Sequence, residues 1–157
     1  MTDPDLVAAA RFEIESRERH YPALIQSQKM TAEAATVDFQ AWHCIAQLLE
    51  TGTFTSIDAG GADGTTRVGW QECVKAADQA CASTAQAIAA AKGDDAKVKR
   101  LTARLDALRA IARRVGRMAR LVAGINEEFR ARRKPDPAPA KQPDAEEFRK
   151  RHQRRAA

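Results

Sequence analysis

The feature that most constrains the fold is an apolar stripe running from Val98 to Phe129. Val98, Leu101, Leu105, Leu108, Ile111, Val115, Met118, Val122, Ile125 and Phe129 recur at steps of three and four residues, the mark of one long amphipathic helix. The mean step lies close to half a heptad, with one shortened interval from Leu108 through Ile111 to Val115. Such a stripe winds slowly around a straight helix and suits a supercoiled partner. The same stretch, Lys97 to Lys134, holds 13 Lys and Arg against three acids, Asp106, Glu127 and Glu128. One helix therefore carries both the longest apolar periodicity and the densest positive charge.

At 157 residues the chain is long enough for one domain with a modest core. Ala occupies 33 positions, so that core is expected to be thin and closely packed. Charge is sorted along the chain: residues 1 to 96 carry 7 bases and 14 acids, and residues 135 to 157 carry 6 bases and 4 acids. Codon usage can enrich arginine but does not sort charge by position, so the front is acidic and the back basic. The N-terminus lacks the basic start, apolar run and cleavage site of a signal peptide, and no apolar run reaches the length of a membrane span. A cytoplasmic protein with no membrane partner is expected.

From Pro4 the chain reads as helix, with Leu6, Ala10, Ile14, Arg17, Tyr21 and Leu24 at helical spacing. Pro22 removes a hydrogen bond and presses on the carbonyl of Glu18, which predicts a kink near His20 and Tyr21 or a fresh helix starting there. After a break at Gln28 and Lys29, Thr31 suits an N-cap and Glu33 suits the positive helix end. A second helix to about Glu50 would bury Ala35, Phe39, Trp42, Ile45, Ala46 and Leu49. The short connection predicts an antiparallel hairpin over residues 1 to 51.

The passage from Arg17-Glu-Arg-His-Tyr-Pro-Ala-Leu-Ile to Lys29-Met-Thr-Ala-Glu-Ala, followed by the Trp42 helix, resembles a recurrent opening of small uncharacterised bacteriophage and prophage proteins. The resemblance covers residues 11 to 50 or so and implies a helical hairpin, a viral or prophage context and a bacterial host; it brings no activity with it. Gln28 stands where that opening has a helix-terminating glycine, which predicts a looser turn.

Residues 52 to 69 turn to Gly, Thr, Ser and Asp and read as a loop, with Phe54, Ile57 and Val68 able to anchor a small hairpin around the glycines. Gly60, Gly61 and Gly64 match neither G-x-G-x-x-G nor the lysine-containing phosphate loop. A third helix from Gly69 or Trp70 places Trp70, Val74, Ala77, Cys81, Thr84, Ile88 and Ala91 on a narrow seam. Gly93 would stop it, and Asp94 with Asp95 would start the next. Residues 70 to 134 then form a long coiled-coil-like hairpin whose return arm outruns its partner. Val122, Ile125 and Phe129 on the overhang are the expected partner interface, meeting either the first hairpin or a second subunit. Pro135, Pro137, Pro139 and Pro143 make an extended linker, and Ala145 to Arg155 a basic tail, within residues 135 to 157. The expected fold class is all-α: two antiparallel helical hairpins, a Pro-rich linker and a basic tail.

General acid or base chemistry needs a carboxylate or histidine held in an enclosed polar site. His20 and His43 fall on different helices and His152 in the tail, and Ser56 and Ser83 sit in no recognisable nucleophile elbow. Cys44, Cys73 and Cys81 form no C-x-x-C pair and read as small core residues. A metal site from His43, Cys44, Cys73 and Cys81 would lack the close ligand pairs that preorganise zinc. No catalytic residue, cofactor or metal is therefore expected.

The basic helix offers a sharper possibility. Arg109, Arg113, Arg117 and Arg120 fall within an arc of about 80° when each residue advances 100°, facing away from Ile111, Met118, Val122 and Ile125. Arg130, Arg132 and Arg133 follow at the helix end. Guanidinium forks grip phosphate oxygens in pairs and stay charged at all working pH values, so this face suits the backbone of DNA or RNA. Aromatic residues are nearly absent there, which favours phosphate contact over base stacking. The sequence therefore reads as a non-enzymatic nucleic-acid-associated accessory protein. The alternative is a coiled-coil interaction or assembly protein that uses helix 95 to 133 to bind itself or a host protein, and the plainest reading of the arc is a solvated face.

Overall fold

The computed structural model describes residues 4–58 and 67–133. Gly60, Gly61 and Gly64, Lys134, the proline-rich linker and the basic tail lie outside the described residues. The protein is mostly helical, as expected: α1 spans Pro4–Gln26, α2 Ala32–Thr51, α3 Trp70–Ala90 and α4 Asp95–Arg132. None of these helices is long and apolar enough to cross a membrane. The chain divides into two compact units, Met1–Val122 and Ala123–Ala157. The first holds α1 to α3 and most of α4; the described part of the second is the last turns of α4.

α1 continues as one helix through Pro22, so the fresh start does not occur. Its end is tighter than Gln28 predicts. Gln28 takes the left-handed conformation, φ 57°, while its N–H donates to the Ile25 carbonyl at 3.0 Å and Lys29 N–H to the Leu24 carbonyl at 3.0 Å. That is the paired closure that glycine ordinarily makes at this position. The turn geometry is kept, and Gln28 bears the steric cost of a Cβ there.

Thr31 caps α2 as expected, its hydroxyl accepting from Ala34 N–H at 3.1 Å. Gly52, φ 72°, closes the other end through its N–H to the Leu48 carbonyl. Ile57–Asp58 then pairs antiparallel with Arg67–Val68, Ile57 opposite Val68, so the loop does contain the small hairpin. It is tethered by the fully buried Val68 and by Phe54, whose ring stacks on Trp70 at 3.8 Å between centroids. At the start of α3 the Glu72 carboxylate accepts from Gly69 N–H at 2.8 Å. Asp94 caps α4 by accepting from Lys97 N–H at 2.9 Å.

The core of the first unit gathers Ala10 from α1, Trp42, Ile45 and Leu49 from α2, Cys73 and Ala77 from α3, and Leu108, Ile111 and Val115 from α4. Small residues let helices approach closely, and the backbones of α1 and α2 and of α2 and α3 come within 8 Å of each other. The buried face of α3 is displaced from the expected seam. Cys73, Ala76, Ala77, Ala80 and Thr84 are buried, whereas Trp70, Val74, Cys81 and Ile88 are half-buried. On this face the Cys73 thiol meets α2, donating to the Ala41 carbonyl at 3.6 Å. α4 therefore rests its seam on a core shared by three helices rather than on α3 alone.

Candidate nucleic-acid interface

α4 is a scaffold with two faces. Leu105, Leu108, Ile111 and Val115 are its buried residues, and they fix which way the intervening arginines point. Arg109, Arg113, Arg117 and Arg120 are all exposed, on the side of the helix away from Ile111 as the periodicity predicts. Arg109 lies 3.8 Å from Asp106, with both side chains more than half exposed. Arg113, Arg117 and Arg120 form no ion pair among the described residues. Arg120 folds back along the helix over Gly116, where a Cβ would stand 3.6 Å from its Nη1. Over the eleven residues from Arg109 to Arg120 the helix rises about 16 Å, so the first unit alone presents a row of four fixed positive charges.

In the second unit Arg130, Arg132 and Arg133 are exposed, and Arg132 sits 3.8 Å from Glu128. Of the expected partner interface, Val122 is half-buried, while Ile125 is 53% and Phe129 68% exposed. Leu121, one residue off the expected stripe, is also exposed.

Not every base of this stretch belongs to a surface. Arg104 turns inward: its Nε donates to Glu13 Oε1 at 2.7 Å. Glu13 is 1% exposed and also takes Arg17 Nη1–H on Oε2 at 2.6 Å. Arg17 Nε reaches Asp38 Oδ2 at 2.6 Å, and its guanidinium lies over the Trp42 ring at 4.6 Å. Tyr21 donates its hydroxyl to the same Asp38 oxygen. Burial opposes the Arg17 charge, but Asp38 and Glu13 outweigh it and hold its pKa above the ordinary value. Burial and the hydrogen bond to Asp38 push the Tyr21 hydroxyl up as well. The network floors a groove of about 820 Å³, and its charges satisfy one another, so its evident task is to tie α4 and α2 to α1. Sequence reasoning did not find it. The one available signal was Arg17 and Tyr21 standing at apolar-stripe positions of α1.

Cys44 and Cys73 are buried and Cys81 half-buried, all as free thiols. The neighbouring Cys44 thiol and burial raise the pKa of Cys73, and the same pairing lowers the pKa of Cys44. Among the described residues no three His, Cys, Asp or Glu side chains converge to hold a metal ion. The most ligand-like arrangement is thus the outward arginine row of α4. No protein-family model, curated protein or solved structure matches the chain.

Proposed function

We propose that this is a non-enzymatic accessory protein that associates with DNA or RNA by gripping the phosphate backbone with the outer face of α4. The observation that carries the reading is the row Arg109, Arg113, Arg117 and Arg120, exposed together and, beyond Arg109, without an ion pair among the described residues. Arg130, Arg132 and Arg133 add further positive charge. The face has no aromatic residue to stack on bases, and its acid Asp106 stands beside Arg109 at 3.8 Å, so binding would be weakly sequence-specific. The resemblance of the first hairpin to phage and prophage proteins supports a phage-encoded factor acting in the bacterial cytoplasm. In finer architecture we read α1 with α2 and α3 with α4 as two antiparallel hairpins, on the strength of their short connections.

Titration of labelled mixed-sequence duplex DNA and of RNA at several salt concentrations tests this. Four phosphate contacts imply a slope of log affinity on log salt of about −3.6, a loss of roughly 150-fold between 50 and 200 mM salt. Replacing Arg113 and Arg117 by Ala should lower the slope by about 1.8. Absence of binding at the lowest salt, where phosphate contacts are strongest, would refute the proposal.

A second reading, a coiled-coil assembly or host-binding protein, is favoured by one observation: Leu121, Ile125 and Phe129 stay exposed on α4. Light scattering after size exclusion separates the two, since a self-assembling chain would form a dimer that Ile125→Ser and Phe129→Ser dissolve.

A further inference from the structure

We propose that the groove between α1 and the opening turns of α4 docks an acidic amphipathic helix of a partner protein. The groove, about 470 Å³, is floored by Ala9, Phe12, Leu101 and Leu108. Phe12 is 47% exposed, a large apolar side chain left facing water on the first helix. Exposed apolar surface in a concave site marks a place where something docks.

The walls are already fixed. Arg104 is held by the buried Glu13 carboxylate at 2.7 Å, and its guanidinium lies over the Phe12 ring at 5.4 Å from the centroid. A rigid wall reduces the entropy lost on binding. The rim bears one sign of charge. Lys97 and Arg100 line it, both are exposed, and neither forms an ion pair among the described residues. Glu13, the acid at the groove, is already engaged by two arginines. An occupant with carboxylates beside its apolar groups therefore meets complementary charge.

The shape selects a helix. From Lys97 to Leu108 the trough follows three turns of α4, about 16 Å, with Lys97, Arg100 and Phe12 exposed along it and Leu108 buried at its far end. An amphipathic helix lays apolar residues at i, i+3 or i+4, and i+7 into such a trough and leaves its polar face in water. An acyl chain lying there would keep one side hydrated. At 100° per residue Lys97 lies about 160° and Arg100 about 140° from the centre of the arginine row, so this surface and the nucleic-acid face are separate.

A display selection of helical sixteen-residue peptides against the full chain tests the proposal. Phe12→Asp and the pair Lys97→Glu, Arg100→Glu serve as comparison baits, since all three positions are on the surface and retained folding is checked by circular dichroism. The expected winners carry aliphatic residues at helical spacing flanked by Asp and Glu. They should bind each variant at least ten-fold more weakly, and exchanging their acids for Lys should restore binding to the charge-reversed pair. Duplex DNA binding should be unchanged by Phe12→Asp. The proposal is overturned if no selected peptide distinguishes Phe12→Asp from the wild type, if scrambled peptides of equal charge bind as well, or if a long-chain carboxylate takes the groove while no peptide does.

Discussion

Glu13 is the position at which a single change should do most damage for a reason visible only in three dimensions. Its carboxylate accepts from Arg17 on one oxygen at 2.6 Å and from Arg104 on the other at 2.7 Å, joining α4 to α1 across 91 residues of sequence. Breaking a buried ion pair by removing one member costs about 3–5 kcal/mol, because the remaining charge stays desolvated. Two features reduce that here. Arg104 is 34% exposed at its side chain and can turn to water, and Arg17 keeps Asp38 at 2.6 Å. Glu13→Ala should therefore destabilise the protein by about 2–4 kcal/mol, and Arg104→Ala by less, since Glu13 would retain Arg17. Denaturant titration gives both values, and the double variant closes a cycle whose coupling should exceed about 1 kcal/mol for two groups in one network. A cost for Glu13→Ala below about 0.5 kcal/mol, the range of an ordinary surface substitution, or a coupling near zero would show that the network does not hold α4 in place.

Two further outcomes follow from local geometry. Gln28→Gly should raise stability by about 0.5–1 kcal/mol, since it removes the Cβ clash at φ 57° while adding some unfolded-state entropy. Thermal unfolding measures it, and a lowered Tm would mean that the Gln28 side chain makes a contact worth more than the strain. Tyr21 is the only tyrosine in the chain, so its ionisation can be followed directly by tyrosinate absorbance. Burial and Asp38 raise its pKa, so folding favours the protonated hydroxyl. That contribution is complete below the ordinary value of about 10 and is lost as pH rises from there towards the raised one. The native protein should show delayed tyrosinate formation relative to the protein in denaturant, and Tyr21→Phe should flatten the alkaline fall in Tm. Coincident titrations in the two states would refute the assignment of Tyr21 to Asp38.

Four features of the chain were readable because they rest on local chemistry. Apolar spacing from Leu105 to Val115 marks a helix face whatever it packs against. Thr31 and Asp94 cap their helices with hydroxyl and carboxylate oxygens that need only their own neighbours. Phe54 and Val68 anchor a hairpin within one loop. The arginine row of α4 faces outward because helical periodicity and the buried seam together allow no other direction. What the sequence by itself determined, then, was the helices, their ends and which side of each is polar.

Tertiary structure decided the rest, for reasons that local chemistry does not contain. α3 buries Cys73, Ala76 and Ala80 in addition to the expected Ala77 and Thr84, with Cys73 meeting α2 at Ala41, and no heptad count states how many neighbours a helix will have. Gln28 adopts a glycine's conformation because the turn to α2 requires it. The dense positive charge of Lys97 to Lys134, a single block in the linear chain, is divided by packing into different roles. Arg104 points into the interior to Glu13, Lys97 and Arg100 rim an apolar groove with Phe12, and Arg109 to Arg120 face solvent. Charge along a chain is a sum over residues, whereas the field that a partner meets depends on which of those charges are already neutralised and which face they occupy. Only the packing of α4 against α1 settles that.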